Sequence, residues 1–577
     1  MMIENFSLKV LLLLQILALS ACYLSQNHIA DRTRSRTQRL TALNVKRSYA
    51  KKIRERAEKQ TPVKGKKGKA GKRGGSNVAS NNQNNIDLSV SNAPPAPDAY
   101  KRQLFCNVEL NGDGLEAVGF DMDFTLAQYN DEFNLIAFEG AKKNLVNNFG
   151  YPEEILDIQY NENDFRRGLI IDKQSGNILK IDRHRYVRKA FHGLSEMTRE
   201  ERHAKYLASV QSFTESNFVN IDTMFLIVDA ALFAHIVDMK DDNPDKYNNK
   251  SYAQIYADVR KAVDVCHIDG VIKDTVQADP SRYIIYDPDT VPMLRRLRNA
   301  GKKVFLLTNS MFDYTDKVMD FLVHGGGEYQ DMKWQDLFDV VVVGAKKPAF
   351  LLDSYLSLFH VDEEGRLRNI EDKDSLSLED LKSDGVSASF QGGCWLDLHR
   401  MLGVQRGDNI LYVGDHMYSD ILRSKRSLGW RTCLVIPELE EELEVSLREI
   451  GMQRQIQTLR RLQYDLDEYL DILRQRLLLG SDVQMKIDEA TQKAEELKVS
   501  LYNLNEDYNA KFNPFWGQLF KAGHRESRFA KQVTDYACLY TSKASNFRFA
   551  SPNRPFRPIP RDAIPHETII DEPDRSY

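Results

Sequence analysis

Four short apolar runs, each followed at once by polar side chains, limit the folds open to this sequence more than any other feature. Short apolar runs bounded by polar residues are typical of buried strands. They alternate here with stretches of helical pattern, which indicates βαβ units and a parallel sheet. The runs and their polar ends are 116–120 with Asp121 and Asp123, 303–307 with Thr308 and Asn309, 337–343 with Lys346 and Lys347, and 409–414 with Asp415 and Asp420.

The carboxyl ends of parallel strands lie at one edge of a sheet, where open α/β folds bind their ligands. Polar residues separated by hundreds of positions are therefore expected to meet in one crevice. We predict an α/β fold with a Rossmann-like parallel sheet, to which a fifth run at 431–437 adds another strand. The functional site is expected at the carboxyl edge of that sheet.

The polar residues at this edge suit phosphoryl transfer. A phosphomonoester dianion repels an anionic nucleophile, so its site must supply positive charge from a cation and a lysine. One aspartate can attack phosphorus, and a second can give and take the proton. Carboxylates with no His or Cys nearby favour Mg²⁺ over Zn²⁺. Taken alone, the Asp121-Met-Asp123-Phe-Thr125 pattern is weak, since acidic pairs at strand ends are often turn residues or helix caps.

The four motifs together resemble those of the haloacid dehalogenase-like phosphohydrolases. They are Asp121-Met-Asp123-Phe-Thr125, Thr308-Asn-Ser310, Lys347-Pro348 and Gly414-Asp415-His-Met-Tyr-Ser-Asp420. More narrowly, residues 119–128, 307–310, 414–422 and 429–439 are similar to the purine-type (IMP/GMP-type) cytosolic 5′-nucleotidases. The resemblance implies a haloacid dehalogenase-like core from residues 100–129 and 291–437. Residues 130–290 would form a large cap that closes over the substrate, and no second cap fits between the second and third motifs.

The resemblance also implies roles for the motif residues. The core assignments are Asp121 as nucleophile and metal ligand, Asp123 as general acid/base with its carbonyl on Mg²⁺, Thr308 and Asn309 at the phosphoryl group, Lys347 (alternatively Lys346) as the stabilising charge, Asp415 as metal ligand and Asp420 as a supporting acid. The implied substrate-binding residues of the cap are Phe225, Arg260, Asp264, His267 and Lys273. The alternative for the cap set is an amphipathic helix with solvated or salt-bridged charges. Residues 224–229 depart from the family pattern, which leaves purine specificity open.

After the core, residues 438–510 predict a helical hairpin. Its apolar stripe indicates a packing seam, either against the same domain or in a coiled-coil dimer, so a homo-oligomer is expected. Residues 511–577 are expected to pack on the core and end in a Pro-rich tail, and 351–389 form an acidic insertion. The stripe consists of Leu459, Leu462, Leu466, Tyr469, Leu473 and Leu477.

Residues 1–30 resemble a signal peptide or an anchor, and residues 31–99 form a basic, low-complexity tail and linker. Organelle or secretory entry is one interpretation. Lipid attachment at Cys22, an uncleaved anchor, a wrongly assigned start codon and a cytoplasmic protein are the alternatives. The net charge of -4 and pI near 6.4 give no case for specific nucleic-acid binding.

These observations predict a Mg²⁺-dependent 5′-nucleotidase that hydrolyses nucleoside 5′-monophosphates, purines above all, through an aspartyl-phosphate. A phosphatase or phosphotransferase for another small phosphate ester is the alternative enzyme. A slow homologue that acts as a binding scaffold is the alternative of a different class.

Overall fold

The computed structural model describes residues 99–206, 213, 216–362, 364–370 and 388–559. These residues lie within one compact unit, Ala93–Tyr577. The signal-like segment, the basic tail, most of the acidic insertion and the Pro-rich end from residue 560 lie outside the described residues. Among the residues described, no helix has both the length and the apolar character needed to cross a membrane. The compartment and the homo-oligomer stay predictions.

The core is a sheet of ten strands with the spatial order β1-β10-β9-β8-β2-β3-β4-β7-β5-β6. In chain order they are β1 (Phe105–Cys106), β2 (Ala117–Phe120), β3 (Lys303–Leu307), β4 (Val340–Val343), β5 (Leu358–Val361), β6 (Leu367–Asn369), β7 (Ser389–Gly392), β8 (Ile410–Gly414), β9 (Arg431–Val435) and β10 (Leu539–Thr541). All pairings from β10 through β7 are parallel. Strands β1, β5 and β6 extend the two edges in antiparallel pairings.

Strand β2 lies between β8 and β3 at the middle of the parallel part, and its four residues are all buried. The five predicted runs all form parallel strands of this sheet, so the predicted α/β class is confirmed. Helices cover the sheet because apolar strands buried on both faces need a layer on each side. The core helices are Thr290–Asn299, Phe312–His324, Ala349–Leu352, Trp395–Leu402 and Arg423–Leu428.

The cap is an insertion between β2 and β3. Its five-stranded antiparallel sheet consists of Ser195–Glu196, Val187–His192, Asn177–Ile181, Ile170–Asp172 and Phe218–Asn220. Its helices are Asp131–Phe149, Arg199–Tyr206, Leu226–Asp242, Tyr252–Ile268, Val271–Ala278 and Pro280–Tyr283. The chain enters the cap through strand Gln128–Tyr129 and leaves it through Ile284–Ile285. These two short strands pair with each other, and we call them the linker ribbon.

Beyond the sheet, helix Leu439–Arg448 precedes two long helices, Ile450–Leu478 and Gln484–Ala510, which pack on each other as the predicted hairpin. The buried stripe on the first differs in detail from the predicted one. Leu470 is buried, Tyr469 is half-buried, and Leu477 is exposed because the second helix begins only at Gln484. The segment after the hairpin returns to the core through Lys521–Ala522, Arg525–Glu526 and helix Arg528–Tyr536, then supplies β10.

Candidate active site

Asp121 is the first residue after β2, in the centre of the carboxyl edge of the sheet. Its backbone N–H donates to the carbonyl of Val413 at 2.9 Å, so the neighbouring strand holds it in register. Its Oδ1 accepts from the backbone N–H of Met122 at 2.8 Å. The carboxylate is buried, and burial raises its pKa well above the usual value, although the charge of Lys347 opposes the rise.

Lys347 brings the third motif to Asp121. Its Nζ lies 3.0 Å from Asp121 Oδ1 and 2.9 Å from Asp420 Oδ1, and it donates to the hydroxyl of Tyr412 at 2.8 Å. Burial alone would lower the pKa of this lysine, but the two carboxylates raise it well above its usual range. The amine is therefore a fixed positive charge at the sheet edge. Lys346, the alternative, is exposed and stands at a positive φ of 59°.

Three buried carboxylates meet beside this lysine. Oxygen atoms of Asp121, Asp415 and Asp420 lie within 4.8 Å of one another. Burial, with the charge of Asp420 adding to it, raises the pKa of Asp415 to about 7. One lysine cannot offset three ionised carboxylates, so the cluster fits a hard divalent cation such as Mg²⁺, which prefers oxygen ligands. Asp420, predicted as a supporting acid, thus stands within the cluster itself.

The loop after β8 positions Asp415 and Asp420, the two acids of the fourth motif, at the site. Residues Met417–Leu422 form a single turn of π-helix, a distortion common at functional sites. Asp420 Oδ2 accepts from the backbone N–H of His416 at 3.2 Å. A Cβ on Gly414 would lie only 2.5 Å from that oxygen, so this close approach requires glycine. Thr223, from the cap, points its hydroxyl at Asp415 Oδ2 from 3.4 Å.

Asp123 faces a different set of partners from Asp121. Its Oδ1 accepts from the hydroxyl of Tyr129 at 2.6 Å, and its Oδ2 accepts from the hydroxyl of Ser310 at 2.8 Å. Burial raises the pKa of Asp123, while these two hydrogen bonds moderate the rise. A raised pKa favours the protonated form that a general acid needs. The two aspartates of the first motif therefore have separate environments.

The second motif connects these groups. Thr308 is fully buried directly after β3, and its hydroxyl oxygen accepts from the backbone N–H of Ser310 at 3.0 Å. Asn309 bridges to the third motif, since its Oδ1 accepts from the N–H of Lys347 at 2.6 Å and its Nδ2 donates to the carbonyl of that lysine at 3.2 Å. In this arrangement Asn309 holds the lysine loop in place.

A family model described as the 5′ nucleotidase family matches residues 104–569. The chain belongs to this family. The resemblance to the 5′-nucleotidases is thereby confirmed, and the chain is a phosphoric monoester hydrolase of the 5′-nucleotidase class.

Two curated relatives carry the name 5′-nucleotidase domain-containing protein 2. The chain is 29% identical to the one from Homo sapiens over 453 residues, covering 77% of this chain and 81% of that protein. It is 28% identical to the one from Rattus norvegicus over 478 residues, covering 81% of this chain and 80% of that protein.

Two solved structures are also similar in part. CbbY from Rhodobacter sphaeroides in complex with phosphate is 13% identical with a TM-score of 0.21, and the match covers 56% of this chain and 86% of that chain. An archaeal β-phosphoglucomutase from Pyrococcus is 11% identical with a TM-score of 0.22 and the same coverages. The family assignment does not depend on these two structures, whose TM-scores are low.

In this member of the 5′-nucleotidase family, two of the predicted cap residues, Arg260 and Asp264, form an ion pair with each other. Arg260 pairs with the buried carboxylate of Asp229 at 3.0 Å and, through a short contact, with Asp264. The predicted alternative of a salt-bridged helix is thus part of the structure. Asp229 was not predicted, because it lies inside an apolar run that reads as core. Arg260 and Asp264 together present donors and acceptors rather than a net charge.

The other three predicted cap residues, Phe225, His267 and Lys273, lie near the catalytic edge of the sheet. The Phe225 ring contacts the Phe124 ring at 4.9 Å and the His267 ring at 5.8 Å between centroids. Burial, with nearby positive charges adding to it, lowers the pKa of His267 to about 4, so this histidine is neutral at neutral pH. The Nζ of Lys273 lies 5.8 Å from the ring centre of Tyr314, next to Tyr129. Phe225 and Lys273 therefore lie against aromatic residues next to Asp123, and His267 packs on Phe225.

The sequence did not predict the buried hydrogen bond that connects the cap to the loop of Asp415. The Arg167 guanidinium from the cap is fully buried and donates to the carbonyl of Asp415 at 2.9 Å. It also donates to both carboxylate oxygens of Glu438, at 2.9 and 2.5 Å. An arginine in an Arg-Arg-Gly turn carries no periodic signal that marks it as buried. Its buried position depends on the carbonyl and carboxylate that fold against it from the core.

Proposed function

We propose that this protein is a Mg²⁺-dependent 5′-nucleotidase that hydrolyses nucleoside 5′-monophosphates through an aspartyl-phosphate on Asp121. The proposal rests on the different surroundings of Asp121 and Asp123 at the sheet edge. Asp121 lies against the buried charge of Lys347, and Asp123 is held apart by two hydroxyl donors. A nucleophile that faces a cation, beside an acid with a raised pKa, suits displacement at a phosphate ester.

In the first step, Asp121 Oδ would attack phosphorus while the bond to the ribose 5′ oxygen breaks. Asp123 would give its proton to that leaving oxygen, which becomes the nucleoside hydroxyl. Lys347 would offset negative charge on the phosphoryl oxygens, and the hydroxyl of Thr308 would donate to one of them. In the second step, Asp123 takes a proton from the attacking water as the Asp121–phosphate bond breaks. Free inorganic phosphate and the original carboxylate result.

Asp121, Asp415 and the carbonyl of Asp123 would hold the Mg²⁺ ion, with Asp420 close enough to join them. When bound, the ion supplies positive charge that lowers the repulsion between the carboxylate nucleophile and the phosphate dianion. Arg167 and Thr223 hold the Asp415 loop from the cap side. These residues keep the carboxylates converged.

We also propose that purine nucleotides are the preferred substrates. Phe225 offers a half-buried ring, and His267, Arg260 and Asp264 offer a neutral ring with donors and acceptors for a base edge. Larger purine rings gain more from stacking on such a face than pyrimidines do. The ratio of kcat/KM for inosine or guanosine 5′-monophosphate to that for uridine 5′-monophosphate should therefore fall in Phe225→Ala. An unchanged ratio would count against this part alone.

The experiment for the reaction is phosphate release by the full chain from a panel of nucleoside 5′-monophosphates, with Mg²⁺ and with EDTA. Asp121→Asn should abolish release. Asp408→Asn is the matched control, because Asp408 is a half-buried acid that pairs with Arg406 before β8, at the opposite end of that strand from Asp415. Borohydride trapping of acyl phosphate at residue 121 tests the intermediate. A folded wild type that releases no phosphate with Mg²⁺ from any nucleotide would contradict the proposal.

A further inference from the structure

The side chain of Asp123 is held at both oxygens by hydroxyl groups. Tyr129 donates to Oδ1 at 2.6 Å and Ser310 donates to Oδ2 at 2.8 Å. Tyr129 in turn lies 3.0 Å from the hydroxyl of Tyr314, and either of the two can be the donor. The carboxyl group therefore ends a short chain of hydroxyls, Tyr314–Tyr129–Asp123.

Tyr129 belongs to the linker ribbon rather than to any of the four motifs. It pairs with Ile284 across that ribbon, so its backbone is fixed where the cap joins the core. Its ring is buried and packs on Phe133 at 4.2 Å and on Phe124 at 5.1 Å between centroids. The ring thus has a packing role that phenylalanine would keep, while the hydroxyl serves Asp123 and Tyr314.

We propose that Tyr129 is a positioning residue for Asp123, and that Tyr314 fixes the direction in which the Tyr129 hydroxyl donates. This rests on the proposed acid/base role of Asp123. When Asp123 passes its proton to the leaving oxygen, it becomes a carboxylate, and the hydrogen bond from Tyr129 strengthens as that charge develops.

The paired hydroxyls of Tyr129 and Tyr314 can maintain the hydrogen bond to Asp123 whether Asp123 is ionised or protonated. With Asp123 ionised, Tyr129 donates to it and Tyr314 donates to Tyr129. With Asp123 protonated on Oδ1, the Tyr129 oxygen can accept that proton's hydrogen bond while its own O–H turns to Tyr314. The 3.0 Å spacing of the two hydroxyls permits either direction. A phenylalanine at 129 or 314 would remove this exchange without emptying the core.

The test is to compare two phosphate esters that differ in how much they need a general acid. A nucleoside 5′-monophosphate expels a basic alkoxide oxygen that requires a proton, whereas p-nitrophenyl phosphate expels a stable phenolate that does not. Tyr129→Phe should lower kcat/KM for the nucleotide by about 10- to 100-fold, as expected for one hydrogen bond to a charged group. It should leave kcat/KM for p-nitrophenyl phosphate within about 3-fold of wild type, because kcat/KM reports the first displacement and not the later hydrolysis that both esters share.

Matched variants separate positioning from structure. Tyr151→Phe removes another buried tyrosine hydroxyl, one that donates to Asp258 at 3.0 Å in the cap, and should not change the ratio of the two rates. Ser310→Ala removes the other donor to Asp123 and should shift the ratio in the same direction as Tyr129→Phe. It also keeps the inference testable if Tyr129→Phe does not fold. Tyr314→Phe should give a smaller shift of the same sign.

Asp123→Asn distinguishes failure of the positioning inference for Tyr129 from failure of the proposed function. If Asp123→Asn lowers kcat/KM for both esters equally, the general-acid role of Asp123 fails and the proposed function must be revised. If Asp123→Asn is selective for the nucleotide but Tyr129→Phe or, in its place, Ser310→Ala lowers kcat/KM for both esters equally, the positioning inference is overturned and the proposed function stands. Selective loss in both variants supports the inference.

Discussion

Lys347 places its amine between the buried carboxylates of Asp121 and Asp420 at the catalytic edge, so its replacement by methionine should change both stability and activity. The change keeps the length and apolar stem of the side chain. It removes the contacts of Nζ with Asp121 at 3.0 Å and Asp420 at 2.9 Å, and the hydrogen bond to Tyr412 at 2.8 Å. Breaking a buried ion pair by removing one partner costs about 3–5 kcal/mol, because the remaining charge is left buried without compensation.

The size of the expected melting shift follows from the size of the folded unit. Unfolding entropy near 60 °C is about 2 cal/mol/K per residue, so a unit of the length of Ala93–Tyr577 changes its melting temperature by roughly 1 °C per kcal/mol. Lys347→Met should therefore melt about 3–5 °C below wild type in EDTA at pH 8. Burial raises the pKa values of the carboxylates, so they are partly protonated in acid and the difference should narrow there.

Two further variants sharpen the measurement. Lys302→Met removes another buried amine, but that amine donates to the carbonyls of Gly112 and Leu115. Its effect on melting should be smaller and independent of pH between 6 and 8. Adding Asp420→Asn to Lys347→Met should recover part of the lost stability. Differential scanning calorimetry gives all three values.

Phosphate release from a nucleotide should fall about 100- to 1,000-fold in Lys347→Met, as when one preorganised electrostatic donor is removed. A Lys347→Met protein that melts within about 1 °C of wild type at pH 8 would refute the stability argument. It would mean that the carboxylates are already neutral in the folded protein and that Lys347 compensates no charge.

Three other outcomes test separate parts of the structure. Gly414→Ala places a Cβ 2.5 Å from Asp420 Oδ2, so it should destabilise by about 1–3 kcal/mol in chemical denaturation and weaken Mg²⁺ binding in calorimetry. Burial lowers the pKa of His267 to about 4, so the unfolded chain binds the proton first and wild type should lose about 3 kcal/mol between pH 6.5 and 4 that His267→Asn does not lose. In urea unfolding, Leu470→Ala should cost about 2–5 kcal/mol and Leu477→Ala under about 0.5 kcal/mol, since only Leu470 is buried; equal costs would contradict the observed stripe.

The sheet and the meeting of its polar ends could be predicted because both depend on local signals. An apolar run followed by an acid or a lysine is visible in a few residues, and the parallel topology then fixes where each end lies. Asp121, Thr308, Lys347 and Asp415 were found in this way. Strand β10 carries no such signal, because it has only three residues and follows a helix in a segment of mixed composition.

The contacts that orient the catalytic groups could not be predicted. Ser310 and Arg167 contact partners 187 and 248 residues away along the chain. Tyr129 lies only six residues after Asp123, but no pattern around it marks its hydroxyl as a partner of that carboxylate. The hairpin shows a related limit. Helical spacing allows a stripe through either Tyr469 or Leu470, and only the position of the facing helix decides which of the two is buried.

The linker ribbon places the two ends of the cap side by side, so the cap has the layout of a cassette that could be exchanged between related enzymes. The buried Arg167 limits that exchange. Its guanidinium occupies a socket made by Glu438 and the carbonyls of Asp415 and Val435, all of which belong to the recipient core. A grafted cap without an arginine at this place would leave the half-buried Glu438 without its partner. A successful chimera must therefore transfer the arginine and its socket together.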